Sequence, residues 1–513
     1  MEEKHDKSSE RVKKIRRWFR NPYNVSFFGV ILFAFLLRLY FFILTKSQPL
    51  WWDELAYGSL AKNMVHHLGD NTWVIISELM IRPTFFPFLW SLILRMGFGE
   101  IATRFLLEFI PSVLAVIGVY YVGKILYNKK VALLSAFIFS VLWIHLFYTC
   151  RLLSNVPALP LVFFSVYFFF KSLESKKFNA RFFAISLILL SLSTLIRYPN
   201  GLIFFAYLAF LVITFRKDLL TNKKFYLAGV IGVCPLLFFF GYNFVVHGNI
   251  FPALLGNQYL ESGSEQSKPF AFHLLKFIPG YLQTTFFLAF LVGLIVSLFE
   301  LIIGYDIIKK RRKLKADILM LIILGFIYAF FIFYLRAAED RWLFATSLPI
   351  AIIAGVGLTQ IYNLIKKYHK KVALIVVLGI LIFGAYGQIT YANNLIKYKE
   401  GSYLQMKQAF EWIKSTTPED SILLGYGIGP YSLYYAERIN YDENLLLNDS
   451  ETVKFIDDID ADYFVTHSFT PQPAFLGDYF QTHTDKWQIV NVWFFDQNQQ
   501  QPAVIVYRNT ETS

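Results

Sequence analysis

Eleven apolar runs, each about as long as a bilayer-crossing helix needs, leave this chain few folds to choose from. A helix requires about 20 apolar residues to cross the hydrocarbon core. Runs of that order lie at about 25–46, 102–126, 131–148, 153–171, 181–196, 201–215, 225–246, 283–306, 317–335, 342–363 and 372–390. In lipid every backbone N–H and C=O must find its partner within the protein, which helices achieve segment by segment. The 513 residues are 56% hydrophobic and 17% charged, with 55 Phe and 31 Tyr, far from soluble multidomain usage. The expected fold class is an all-α polytopic membrane protein of about 11, and up to 13, transmembrane helices.

The net charge of +13 does not point to nucleic acid, because the basic residues fall in short clusters between the apolar runs. With the basic tail of residues 1–22 in the cytoplasm, "YNKK", "KSLESKKFNAR", "RKDLLTNKK", "KKRRKLKAD" and "KKYHKK" all fall on that side. The first run lacks a small-residue cleavage site and reads as a retained span, not a signal peptide. Cys150 and Cys234 show no pairing or metal spacing. The transmembrane domain is then residues 23–390, with a first outer loop at 47–101. Residues 391–513 form a soluble extracytoplasmic domain. There "YLQMKQAFEWIKSTTP" has helical spacing ended by Pro, and strand-like "SILLGYG", "YFVTHS", "WQIVNVWFF" and "AVIVYR" alternate with helix-like "YSLYYAE" and "TVKFIDDI". That alternation predicts a small α/β layer, with no catalytic constellation visible in it. Asn448 opens an "NDS" sequon, a short pattern that decides nothing.

The outer loops carry the candidate chemistry. In "PLWWDELAYGSLAKNM", Asp53 and Glu54 follow the first span, and Ala56, Leu60, Met64 and Leu68 recur every four residues. This predicts an interfacial amphipathic helix with Asp53 as its N-cap and Trp51 and Trp52 as interfacial anchors. Arg82 sits before Pro83 and a short apolar stretch, while Arg151, Arg197 and Arg341 each stand at the outer end of a span. A charge at membrane depth costs about 2.5–3.5 kcal/mol on insertion scales, so isolated arginines tend to face a polar cavity or a partner. Glu339 and Asp340 neutralise at least one of them in the plainer reading. His247, His273, Tyr259 and Lys276 lie on or beside one long outer loop. No Gly-rich phosphate loop, HExxH or GxSxG motif is present. A carboxylate and several arginines beside a hydrophobic scaffold suit a lipid that carries a phosphate.

The order of first span, "WWDELAYGSLAKNM" and "RPTFFPFLWSLILRMGFGEIATRFLLEFIPSVLAVIGVYYVGKILY" resembles the GT-C membrane glycosyltransferases of the protein O-mannosyltransferase and aminoarabinose transferase superfamily. Asp53, Glu54 and Tyr57 match that superfamily's Asp-Glu with a Tyr three residues on. Arg82-Pro83-Thr84, Phe85, Phe86, Gly97 or Gly99, and Arg104 follow its next signature. "CRLLSNVPALPLVFFSVYFFF", "STLIRYPNGLIFF" and "EDRWLFATSLPIAIIAGVGL" resemble its later spans. Thr84 replaces a second Pro, Arg82 a commoner Lys or His, and Asn155 a frequent Asp.

The resemblance implies an inverting glycosyltransferase that moves a sugar from a polyprenyl-phosphate donor to a lipid, polysaccharide or protein acceptor outside the cytoplasm. It implies no required cofactor, a divalent metal not being excluded. A glycosidase needs an acid for its leaving alkoxide, whereas a departing phosphate monoester, with a second pKa of about 6, leaves without one. Asp53 is then the expected base, Glu54 orients the acceptor or the loop, and Arg82 with Arg197 or Arg341 binds the donor phosphate. Tyr57, Arg151, His247 and Tyr259 are further cavity candidates. Rival readings are a flippase or transporter of lipid-linked sugars, which should scatter ionisable residues within the membrane and show repeats, and a non-catalytic receptor. Within the superfamily, the oligosaccharyltransferase branch carries a WWDYG signature in its soluble domain, and residues 391–513 contain none.

Overall fold

The structure, a computed structural model, describes residues 19–66, 83–174, 178–215, 221–248, 270–304, 311–334, 339–441, 449–496 and 498–511. The chain divides into two compact units: residues 1–46, 83–85 and 104–396, and residues 47–82, 86–103 and 397–513.

In the first unit every one of the eleven apolar runs is helical. Among the described residues, eight helices are long and apolar enough to cross a membrane, and Ala180–Ile196 and Tyr198–Thr214 are shorter apolar helices. The protein is a multi-pass membrane protein. The helices start where the sequence supplies caps: the Asn21, Asn128, Asn179 and Asn222 side chains accept N–H groups at the starts of the Pro22–Thr45, Lys129–Val141, Ala180–Ile196 and Lys223–His247 helices. Each satisfies donors that a helix start leaves unpaired.

Small residues set how closely the helices pack. A Cβ on Gly293 would strike the Ile353 carbonyl, and one on Gly357 the Ala289 carbonyl, so the Phe270–Gly304 and Ser347–Lys366 helices approach backbone to backbone. That geometry suits an apolar solvent, where association rests on close packing and not on hydrophobic exclusion.

Two helix breaks lie inside this unit and are closed by polar side chains. The Lys129–Val141 helix stops at Leu142, and the long Phe270–Gly304 helix is interrupted at Gln283, with φ 49°. Gln388 spans both: its Oε1 accepts Trp143 N–H at 2.8 Å and its Nε2 donates to the Tyr281 carbonyl at 2.9 Å. The Trp143 indole donates to the Gly280 carbonyl at 2.8 Å. Arg38, fully buried on the first helix, donates to the Ser140 carbonyl at 2.9 Å and to Ser112 Oγ at 2.6 Å. Irregular backbone among spans persists only where its groups are re-satisfied in this way.

The second unit contains a five-stranded mixed sheet in the order β2-β1-β3-β5-β4. Its strands are β1 (Ile422–Leu424), β2 (Ile439–Tyr441), β3 (Tyr463–His467), β4 (Trp487–Phe494) and β5 (Pro502–Asn509). β1 is parallel to β2 and β3, and β5 runs antiparallel to both β3 and β4. Leu424, Ile456, Phe464, Leu476, Tyr479 and Trp487 form its core. The "YLQMKQAFEWIKSTTP" helix, Leu404–Thr416, buries Met406, Ala409, Phe410 and Ile413, the residues its 3.6-residue period lines up. β2 and the Phe475–Thr482 helix were not foreseen in the sequence.

Candidate functional site

The helix Asp53–His66 belongs to the second unit, and it departs from the amphipathic surface helix that its periodicity predicts. Residues 54–61 are buried on every side. Gly58 makes this possible: a Cβ there would lie 2.5 Å from the Tyr434 ring and 3.0 Å from that of Trp90. Tyr57, 6% exposed, packs edge-on against Phe86 at 5.1 Å. Trp90 and Phe86 come from the Phe85–Arg95 helix, which ends in a Schellman turn. Phe98 N–H bonds the Ile93 carbonyl and Gly97 N–H that of Leu94, with Gly97 at φ 80° where a side chain would be strained.

The two adjacent carboxylates have different surroundings. Glu54 is 1% exposed and accepts the Trp51 N–H at 2.8 Å, while its own N–H bonds the Trp51 carbonyl at 2.8 Å. This reciprocal pair closes the turn into the helix, a task the sequence suggested for Asp53. Asp53 is the first helical residue and half-exposed, at the end where the helix dipole favours a negative charge. Just ahead of them, Trp52 is held at φ 37°, a backbone region costly for a side chain that is not glycine.

Residues 402–437 of the same unit hold this turn. Tyr435 Oη accepts the Leu50 N–H at 2.9 Å, the Trp51 indole donates to the Ser402 carbonyl at 3.1 Å, and the Trp52 indole donates to Tyr403 Oη at 3.0 Å. At the third turn of the helix, Lys62 Nζ donates to the Tyr434 carbonyl at 2.7 Å and to Glu437 Oε1 at 2.9 Å, and lies 4.2 Å from the centre of the Tyr434 ring. Lys414 pairs with the other Glu437 oxygen at 2.6 Å. Burial pushes the Lys62 ammonium below its ordinary range, with Glu437 opposing the shift. Burial would raise the Glu437 carboxyl, but Lys414 and Lys62 outweigh it and hold it below the usual carboxylate range. Lys62, Tyr403, Tyr435 and Glu437 went unseen in the sequence. The one visible hint was a lysine in an otherwise small and apolar helical stretch.

The first unit brings three sequence-predicted groups together. The Arg341 carbonyl accepts both Asn155 Nδ2 at 2.7 Å and Arg197 Nη2 at 3.1 Å, while the Arg341 side chain pairs with Glu339 at 2.5 Å. Arg151 is 3% exposed in the neighbouring "YTCRLLSN" segment. Arg104 fixes that segment by donating to the Cys150 carbonyl at 2.7 Å, and Glu108 does so by accepting the Leu153 N–H at 3.0 Å. Glu108 projects from a π-helical stretch, Phe105–Phe109, within the apolar Glu100–Leu126 helix. Such bulges are frequent at functional sites. Arg82, Tyr259 and Asn448 lie outside the described residues, as do the side chains of His247, His273 and Asp340. Lys276 is exposed. Among the described residues, no group of three or more His, Cys, Asp or Glu side chains is assembled as a metal site.

A sequence model of the family described as dolichyl-phosphate-mannose-protein mannosyltransferase matches residues 82–239. Among curated proteins none matches the chain by sequence. Solved structures match across nearly its whole length. ArnT from Cupriavidus metallidurans in the apo state superposes with a TM-score of 0.62 at 13% identity, covering 94% of this chain and 97% of that one. The Archaeoglobus fulgidus oligosaccharyltransferase, tethered to an acceptor peptide, superposes with a TM-score of 0.60 at 15% identity, covering 88% of this chain and 70% of that one. The arabinofuranosyltransferase AftD from Mycobacteria gives 0.54 at 11% identity, over 94% of this chain and 40% of that one. The architecture is the GT-C fold.

Proposed function

We propose that the protein is an inverting glycosyltransferase that moves a sugar from a polyprenyl phosphate to an acceptor hydroxyl or amine on the extracytoplasmic side of the membrane. The observation that carries this reading is the Asp53 turn: a half-exposed carboxylate at a helix start, beside a buried carboxylate that fixes the turn, on a scaffold similar to ArnT from end to end. The Cupriavidus ArnT has also been solved with undecaprenyl phosphate, and the archaeal oligosaccharyltransferase with dolichol phosphate. The basic connections put the N-terminus in the cytoplasm and the sheet domain outside it.

The acceptor oxygen attacks the anomeric carbon on the face opposite the phosphate. The bond from that carbon to the phosphate oxygen breaks, its electron pair leaves with the phosphate, and the acceptor proton passes to the Asp53 carboxylate. The charge gathering on the departing phosphate falls to donor-binding arginines, for which Arg82, Arg197 and Arg341 are the candidates the sequence offers. Glu54 holds the turn that carries the base. No metal is needed, because a phosphate monoester is already a competent leaving group, so transfer should survive a chelator.

The test is purified protein with a panel of polyprenyl-phosphate sugars. Asp53→Asn should lower transfer by about 10²- to 10⁴-fold, the usual worth of a general base, while lowering stability by no more than about 1 kcal/mol, the worth of its charge at the helix start. Undiminished transfer by that variant rejects Asp53 as the base. Absence of transfer by the unmodified protein from every donor rejects the reading itself.

A further inference from the structure

The residues that hold the Asp53 turn come from 351 to 385 positions further along the chain. They make two grips, one on each side of Asp53. Ahead of it, Leu50, Trp51 and Trp52 are bound by Tyr435 Oη, the Ser402 carbonyl and Tyr403 Oη. Behind it, Lys62 is bound by the Tyr434 carbonyl and by Glu437. Among the described residues, five that are not glycine take positive φ, and three of these lie at the grips: Trp52 at 37°, Tyr403 at 65° and Glu437 at 55°. Strain of about 1–3 kcal/mol per residue persists only where the surroundings impose it, and it gathers at functional sites. The "YSLYYA" segment adds a π-helical turn, Ser432–Ala436, that brings Tyr434 and Tyr435 to the helix. A purely structural attachment of one helix would not require three strained residues and a bulge.

We propose that Glu437, Lys62 and Tyr435 are positioning residues that set the place of Asp53, and that the region after residue 397 is thereby an integral part of the catalytic apparatus. The proposal rests on the glycosyltransferase reading for its link to rate, but not for the grip itself. Glu437 is the centre of it, because one carboxylate receives both Lys62 and Lys414.

The grip has a pH signature. Lys62 faces Glu437, Lys414, Glu100 and the Tyr434 ring. Its folded-state pKa is lowered, so it gives up its proton on the alkaline side earlier than an ordinary lysine, and the pair with Glu437 weakens as pH rises through that value. On the acid side, Glu437 stays ionised to below the usual carboxylate range, and on the alkaline side the grip weakens earlier than an ordinary lysine pair would. An arginine at position 62 stays charged at any working pH.

The experiment uses the full-length protein in nanodiscs with two readouts. In hydrogen exchange, Glu437→Gln should lose protection across residues 53–66 while the Tyr463–His467 strand keeps its own. In transfer assays the same variant should lose about 10- to 100-fold in kcat, the cost of a small misplacement of a reacting group, with the donor KM unchanged. Lys62→Arg should move the alkaline limb of the pH profile upward. Lys486→Ala, which cuts the separate pair with Asp457, should change neither readout. Wild-type kcat and unchanged protection in Glu437→Gln overturn the proposal, as does an alkaline limb that Lys62→Arg leaves in place. Should Glu437→Gln not fold, Lys62→Met carries the same expectations. Should the unmodified protein transfer no sugar, the glycosyltransferase reading falls, and exchange alone decides whether the grip exists.

Discussion

The two units use their buried polar groups with different emphasis. In the membrane unit, Arg38, Arg104, Asn155, Arg197 and Gln388 all donate to backbone carbonyls, and Glu108 accepts a backbone N–H. The side chains there repair an irregular backbone. Around Asp53 three non-glycine residues take positive φ, Trp52, Tyr403 and Glu437, against Gln283 alone among the described residues of the membrane unit, and side chains meet side chains at Trp52–Tyr403 and Lys62–Glu437 as well as backbone. The first pattern is architecture under the constraint of lipid, where an unpaired peptide group is intolerable. The second is the pattern of a site, where local strain is accepted to place particular groups.

Removing a repair should therefore cost stability, and removing a site residue should cost rate. The largest stability effect is expected at Gln388. Gln388→Leu leaves Trp143 N–H and the Tyr281 carbonyl without the partner that now serves both, and each buried unsatisfied group costs about 1–3 kcal/mol. A loss of about 2–6 kcal/mol should appear as a clear drop in the midpoint of unfolding in mixed micelles. A variant as stable as the parent would mean that these breaks are satisfied otherwise, and the contrast between the units would lose its first term.

Much of the membrane unit was legible from sequence because its rules are local. A run of some 20 apolar residues has one solution in lipid. The small sheet was legible too, since its longer strands carry their own apolar patterns. What could not be read there depends on contacts distant in sequence. Arg38 is hidden within an apolar run, and only the fold reveals Ser112 and Ser140 beside it. The three-residue β2 is too short to show alternation. The Asp53 helix looked amphipathic because periodicity detects one apolar stripe, whereas here Gly58 admits Tyr434 on a further side. Nor does the order Asp-Glu say which carboxylate is buried. Arg197 and Arg341 were read as phosphate partners, and their shared contact at the Arg341 carbonyl could not be anticipated from positions 144 residues apart.

A middle-sized effect separates the two carboxylates. Glu54→Gln keeps an oxygen able to accept the Trp51 N–H but gives up the charge. A hydrogen bond to an ionised group is worth about 1.5–3 kcal/mol against about 1 for a neutral one. The variant should therefore lose about 1 kcal/mol of stability and only a few-fold in transfer, whereas Asp53→Asn should lose most of the rate and at most about 1 kcal/mol of stability. If Glu54→Gln were as inactive as Asp53→Asn at unchanged stability, the assignment of base and turn-holder would be reversed.

The smallest effect is expected at Lys414, and it sharpens the contrast from within the site. Lys414 and Lys62 pair with the two oxygens of the same Glu437 carboxylate, and the Lys414 distance, 2.6 Å, is the shorter of the two. Distance alone would rank Lys414 first. Its side chain is 47% exposed, however, against 22% for Lys62, and solvent screening leaves exposed pairs worth about 0–1 kcal/mol. Lys62 also donates to the Tyr434 carbonyl and lies over the Tyr434 ring, contacts that an exposed lysine cannot replace. Lys414→Ala should thus change stability by well under about 1 kcal/mol and leave hydrogen exchange across residues 53–66 as it was. A Lys414→Ala variant that loosened that helix as much as Lys62→Met would place the grip in the charge of Glu437 as a whole, and not in the buried arm that reaches the Asp53 helix.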